Sequence, residues 1–280
     1  MRHVSPIRPH TIPLHCASMG NDAEDDVKKR LVCWFSCGAA SAVATKLAIT
    51  QYANSGFEIV IARCIVKEEH PDNERFADDC AKWFGMPITN MINEEYAGSV
   101  WRVIQKRKFI AGPKGASCTM ILKKQVREAF QLPTDKHVFG YCAYEQDRWD
   151  RFLDTNNIDA ISPLMERGLQ HSDCLAMIEN AGIELPTMYK LGYQHNNCIG
   201  CVKAGGAGYW NKIRADFPAQ FWKMAGASRA LSAQMVKVTE DGVERRIFLD
   251  ELKEGIGDYK TEPEIQCGIF CEMAQQELAT

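Results

Sequence analysis

Leu31-Val32-Cys33-Trp34-Phe35, followed at once by Ser36-Cys37-Gly38-Ala39-Ala40-Ser41, is the stretch on which the fold turns. The first five residues form a continuous apolar run of strand length, and the next six are small. Ala42 to Ile49 is then rich in helix formers, so the stretch predicts strand, tight turn and helix. Small residues let a backbone approach a ligand closely, and the unpaired amides of a helix N-terminus attract anions. Ser36, Cys37, Gly38, Ala39, Ala40 and Ser41 are therefore the candidate nucleotide loop, with Ser36, Gly38 and Ser41 as the cradle of a phosphate or sulfate. A plain β-to-α turn of a doubly wound fold is the alternative. The loop lacks the Gly-Lys-Ser/Thr end of a Walker A motif.

Outward from this turn the pattern repeats. Phe57–Ala62, Pro87–Met91, His137–Gly140 and Ile158–Ile161 read as further strands. Asn73–Phe84, Ser99–Lys108, Met120–Phe130, Glu145–Asp154 and His171–Asn180 read as helices, the first stopped by Gly85 and the last by Gly182. Such alternation predicts an α/β fold: a Rossmann-like, mainly parallel five-stranded sheet with helices on both faces. Three segments are expected: a flexible N-terminal extension (1–28), a nucleotide-binding α/β domain (29–192) and a small Cys-rich C-terminal subdomain (193–280). The last contains a helix-like stretch at Ala219–Met224 and a hairpin over Met235–Leu249 turning at Asp241-Gly242.

The chain has 280 residues, 46% of them hydrophobic and 25% charged, enough apolar material for a sizeable core. Its net charge of −3 argues against holding a nucleic-acid duplex chiefly through the phosphates. No run approaches the ~20 apolar residues of a membrane span, and the first thirty residues lack the apolar core of a signal peptide. The expectation is a cytoplasmic protein without membrane partners. Twelve cysteines are then an anomaly, because cytosolic thiols serve metal binding or chemistry more often than disulfides.

Several segments in succession carry a resemblance. They are the loop at 36–41, Glu69-His70-Pro71-Asp72-Asn73 with Phe76, and Gly115-Ala116-Ser117-Cys118-Thr119 running into Leu122-Lys123-Lys124 and Arg127. Gly140-Tyr141-Cys142-Ala143-Tyr144-Glu145 with Arg148 and Arg151 follows, then Ser162-Pro163-Leu164, and Tyr189-Lys190-Leu191-Gly192-Tyr193 before Cys198 and Cys201. In this order, over about 30–205, the chain resembles the phosphoadenylyl sulfate (PAPS) reductase family of the PP-loop, or adenine nucleotide α-hydrolase, superfamily, including its DNA phosphorothioation-type members. Cys37 stands where the family's loop has its first glycine, and Ala40 where ATP-cleaving members carry an acidic residue.

Cys198-Ile199-Gly200-Cys201 is a spacing that lets two thiolates face one metal or cluster. By itself it fits zinc, iron–sulfur or a redox pair. The resemblance implies half of a 4Fe-4S cluster, whose other half comes in the family from an adjacent Cys-Cys pair. Here Ser117-Cys118 offers one thiol, so Cys267 and Cys271 are the expected remaining ligands, with Cys118 in reserve. Gln266-Cys267-Gly268-Ile269-Phe270 is also similar to the tail that carries the nucleophile of PAPS reductases, so Cys267 is either that thiolate or a ligand. The remaining cysteines are expected to be packing or incidental thiols.

As positions matched by the resemblance, Lys123 and Arg148 are the expected anion-binding cations, since clustered phosphate and sulfate charge calls for Lys and bidentate Arg; taken singly, each fits a solvated helix face equally. His171 and His195 read as ordinary polar residues, with His195 as a neighbour of the cluster the lesser alternative, and Gly205–Lys212 reads as a loop closing over cluster or nucleotide, with plain turn chemistry as the alternative. The resemblance implies an enzyme that takes adenylyl sulfate or ATP. As a reductase, its Cys267 thiolate would attack the sulfate sulfur and a thioredoxin-like reductant would release sulfite. The alternatives are an ATP pyrophosphatase-type enzyme that thiolates or phosphorothioates nucleic acid, and a non-catalytic nucleotide-binding sensor. Magnesium and a homodimer are options the sequence leaves open.

Overall fold

The structure, a computed structural model, describes residues 29–112, 115–240, 242–263 and 265. The N-terminal extension, Cys267 and Cys271 lie outside the described residues. Five strands form one sheet in the order β3-β2-β1-β4-β5: β1 (Arg30–Trp34), β2 (Glu58–Cys64), β3 (Ile88–Met91), β4 (Lys136–Val138) and β5 (Asp159–Ile161). Every neighbouring pair is parallel, with Leu31 opposite Ile59 on one side and Lys136 on the other. The expected α/β Rossmann-like sheet is present.

Alternation along β1 explains why both faces are covered. Leu31, Cys33 and Phe35 pack with Phe76, Cys174 and Ile178 on one side. That side is covered by α1 (Ala39–Tyr52), α2 (Asn73–Phe84) and, later in the chain, α8 (His171–Asn180). Val32 and Trp34 face the opposite way, against Phe139, Trp149 and Phe152. Asn73 and Gly85 bound α2 as the sequence predicts: Gly85 takes φ 71° and its amide bonds back to Ala81 and Lys82.

Helix α3 (Val100–Arg107) starts at Ser99, whose hydroxyl accepts from the Arg102 amide. The predicted helix at Met120–Phe130 is a composite: α4 (Ser117–Thr119), a π turn (Met120–Lys124) and α5 (Gln125–Phe130). The π turn buries four consecutive residues, Ile121 to Lys124, where an α-helix would bury a narrower stripe. After β4 come α6 (Gln146–Thr155), α7 (Pro163–Glu166), α8 and α9 (Thr187–Lys190).

Beyond residue 200 lie α10 (Ala207–Asp216), α11 (Pro218–Ala230) and an antiparallel hairpin, β6 (Val236–Glu240) with β7 (Val243–Ile247). Their core, with Trp210, Ile213 and Phe221 fully buried, is shared with Val100, Ile104 and Leu122 of the preceding region. The glycine-rich segment 205–212 differs from expectation, since Ala207 onward is the first turn of α10. Among the described residues no helix is long and apolar enough to cross a membrane.

Candidate functional site

In an open parallel sheet, ligands bind beyond the carboxyl ends of the strands, where the strand order reverses. Here that point lies between β1 and β4. A cleft with about 930 Å³ of space, its solvent mouth included, opens there and is lined by Ser36, Gly38, Ala40 and Ser41 after β1 and by Phe139 to Cys142 after β4.

The turn after β1 is held by its own serines. Ser41 Oγ accepts from the Ser36 amide at 3.0 Å and from Ser36 Oγ at 3.2 Å, and donates to the Gly38 carbonyl at 2.9 Å. At the start of α1 the Ala39 amide donates to Tyr189 Oη at 3.2 Å. Burial pushes the Tyr189 hydroxyl up to about 12, so it stays protonated. The amides of Ala40 and Ser41 have no acceptor among the described residues, as the first turn of a helix requires. Gly140 makes this approach possible: a Cβ there would stand 2.7 Å from the Ala40 carbonyl carbon and the Ser41 nitrogen.

Cys37 and Ala39 do not line the cleft; both are fully buried beneath it. Cys37 has φ 58°, a left-handed conformation that glycine adopts without strain. Its thiol lies 3.7 Å from the Asn73 carbonyl, and burial pushes it well above the ordinary thiol range. Within the candidate loop its contribution is backbone shape.

A buried polar chain ties this turn to the other motifs. Asn196 Nδ2 donates to the Cys37 carbonyl and to Asn73 Oδ1, both at 2.7 Å. Asn73 Nδ2 donates to Glu69 Oε2 at 3.2 Å, and Lys123 Nζ lies 3.4 Å from Glu69 Oε1. Asn73, Glu69, Lys123 and Asn196 are all buried. A carboxylate only accepts, so Glu69 orients Asn73, and Asn73 orients Asn196.

Of the two expected cations, both line the cleft. Lys123 is paired with Glu69; Arg148 is paired with Glu145 and lies 4.9 Å above the Tyr141 ring. Glu145 also accepts from the Cys142 amide at 2.9 Å, which fixes the chain after β4. His171 and His195, read as ordinary polar residues, face the same cleft with rings 5.2 Å apart.

Lys123 also lines a second, smaller cavity, where Cys198, Cys201 and Cys118 come together with Trp101, Ile199 and Met224. The Ile199 amide donates to the Glu68 carbonyl at 2.8 Å, while the Glu68 carboxylate caps α3 through Ser99 Oγ and the Val100 amide. One dipeptide, Glu68-Glu69, thus pins the Cys-x-x-Cys turn with one residue and Lys123 with the next. The expected reserve ligand Cys118 is the thiol that accompanies Cys198 and Cys201. Three thiols in a mainly apolar cavity are the donor type that iron–sulfur clusters use. Among the described residues, however, no three His, Cys, Asp or Glu side chains are arranged to hold a single metal ion.

Glu69, Asn73, Gly140 and Tyr189 stand inside the sequence motifs, and Asn196 and Asn197 directly before Cys198, with no role legible for any of them there. The Asn-Asn doublet directly before Cys198 was the available signal. No family model matches the chain, and no curated protein matches it in sequence.

Proposed function

We propose that the chain is an enzyme of the PAPS reductase type: it binds adenylyl sulfate or ATP at Ser36–Ser41 and carries out sulfur transfer or reduction with a C-terminal thiol or an iron–sulfur cluster. The observation that carries this reading is the shared wall. Lys123 borders both the loop's cleft and the cavity of Cys118, Cys198 and Cys201. An activated anion held at the loop would therefore sit beside thiols, with Lys123 and Arg148 to offset its charge.

In the reductase form, the Cys267 thiolate attacks the sulfate sulfur. An S–S bond forms, the S–O bond to the phosphate breaks, and the nucleotide leaves with the electron pair, as AMP from adenylyl sulfate or as adenosine bisphosphate from PAPS. A thioredoxin-like dithiol then reduces the S–S bond, releasing sulfite and becoming a disulfide. The chain's task up to that point is to orient the anion: the Ala40 and Ser41 amides and the helix dipole face it, and Gly140 allows the close approach.

A second reading draws on Cys118. Its place beside Cys198 and Cys201 suits a cluster held by these three with Cys267 or Cys271, in an enzyme that activates nucleic acid with ATP and inserts sulfur. Bound there, a cluster would supply redox capacity. Trp101 in that cavity, with Lys223 Nζ 4.2 Å above its ring, offers the aromatic and cationic pairing that unpaired bases favour.

Anaerobic purification with iron and sulfide analysis, followed by parallel assays for sulfite from PAPS and pyrophosphate from ATP, separates the readings. Sulfite alone supports the reductase, and pyrophosphate with stoichiometric iron supports nucleic-acid thiolation. Binding of either nucleotide without turnover would leave a sensor, and binding of neither would remove the proposal.

A further inference from the structure

The last described stretch of the chain, 257–263 with Ile265, crosses the start of α10 and ends at the nucleotide cleft. A helix leaves its first amides without acceptors, and the N-cap of α10 is Gly206, which has no side chain to supply one. Glu262 does so from 54 residues away: its carboxylate accepts from the Gly208 amide at 2.6 Å and from the Tyr209 amide at 2.9 Å.

The seat is cut from glycine. A Cβ on Gly206 would overlap the Glu262 carboxylate, and one on Gly208 would overlap the Tyr259 amide nitrogen. This accounts for the glycines at 206 and 208 inside what the structure makes a helix start. Further along, Tyr259 Oη accepts from the Gln194 amide at 2.8 Å, and Asn197 Nδ2 donates to the Ile265 carbonyl at 2.8 Å. Ile265 borders the cleft together with Asn197, whose chain neighbour is Cys198.

We propose that this strap is a wall of the nucleotide site and that Glu262 is its positioning residue. The clasp on α10 fixes Ile265 against the bound nucleotide and, through Asn197, sets the segment that leads into Cys198. The inference rests on the nucleotide reading above. Besides Glu262 and Asn197, the strap is held by Tyr259, which bonds the Gln194 amide and packs against Tyr193 and Tyr209; none of these holds belongs to the parallel sheet, so loosening the Glu262 clasp acts first on the wall of the cleft.

The full-length chain tests this. Gly208→Ala favours helix α10 but blocks the seat, and Glu262→Gln keeps the shape while weakening a charge-assisted acceptor. Calorimetric titration with ATP and with adenylyl sulfate should show Kd raised about tenfold in Gly208→Ala and by a smaller factor in Glu262→Gln, at little change in melting temperature. The double variant should bind no more weakly than Gly208→Ala alone, because both changes release the same strap. A Kd within about twofold of wild type in Gly208→Ala, or fully additive losses, would overturn the inference. Should Gly208→Ala not fold, Glu262→Gln and Asn197→Ala carry the test, with unchanged affinity in both as the overturning result. Wild-type binding with unimpaired variants removes this inference alone. A wild-type chain that binds neither nucleotide removes the reading beneath it as well.

Discussion

Asn196 donates a 2.7 Å hydrogen bond to the carbonyl of Cys37, joining the segment before Cys198 to the turn after β1 across 159 residues of sequence. Cys37 is held in a left-handed conformation, so this bond secures backbone that would otherwise relax. Asn196→Ala should lose about 1–3 kcal/mol, because the Cys37 carbonyl and Asn73 Oδ1 are left buried without a donor. Asn196→Asp should be worse, since it aims acceptors at acceptors. Urea unfolding checks both, and an Asn196→Asp variant as stable as wild type would contradict the assignment of the amide.

Gly140 tests how closely the backbone after β4 must approach the loop. Gly140→Ala places a methyl group 2.7 Å from the Ala40 carbonyl carbon, against backbone that has no rotamer in which to yield. Overpacking of this kind costs about 1–3 kcal/mol, and on the proposed function it should weaken nucleotide binding at the same time. Gly226 in α11 is the control: a Cβ there meets nothing within 4 Å, so Gly226→Ala should be neutral or stabilising by up to about 1 kcal/mol. Equal effects at the two glycines in thermal unfolding would count against the close approach.

The contrast between these positions shows what was legible beforehand. The strand, turn and helix at 30–52 could be read because apolar run, small residues and helix formers follow one another within a few residues. Helix α2 was bounded correctly because its stop, Gly85, is local. The polar chain from Lys123 to Glu69, Asn73 and Asn196 was illegible, since only its middle link, Glu69 to Asn73, is local, while Lys123 and Asn196 join it across 54 and 123 residues. The π turn was likewise hidden. Nothing in Met120–Lys124 departs from helical composition, yet the turn carries Lys123 inward to a position that two cavities share. The glycines at 206 and 208 were visible, but their cause lies far along the chain, in the Glu262 carboxylate for the first and the Asp258-Tyr259 backbone for the second.

The Lys123–Glu69 pair is buried on both sides, so removing one partner takes a close counter-charge from the other in a poorly solvated place. Glu69→Gln should cost about 3–5 kcal/mol and should also loosen Asn73, whereas Lys123→Met with Glu69→Leu should recover much of that loss. A double-mutant cycle from chemical denaturation measures the coupling; additive single losses would show that the pair does not act as one.

The cysteines separate by environment. Burial pushes Cys33 and Cys80 up to about 12 and Cys64 up to about 11, and holds Cys37 well above the ordinary range. In the reduced, metal-free chain at pH 8, iodoacetamide should therefore spare these four and, among the described cysteines, modify the half-buried Cys118 and Cys198 first. Peptide mass spectrometry gives the order, and early labelling of Cys37 would refute its buried, protonated place under the loop.

His137 supplies a pH signature for the sheet beside the site. It sits in β4, 1% exposed, and accepts from Trp34 Nε1 at its Nδ1, 3.0 Å away. Burial lowers its pKa to about 4, and protonation of Nδ1 would in addition remove the acceptor that Trp34 uses. The unfolded chain takes up this proton near pH 6.5, so between about 6.5 and 4 it binds more protons than the folded chain does. Stability is therefore fully present above that window and falls as pH drops through it, by about 1–3 kcal/mol from this group. His137→Gln should cost stability at neutral pH but flatten the slope between pH 6.5 and 4. Urea midpoints measured across that range check this, and an undiminished slope in the variant would assign the acid sensitivity to other groups.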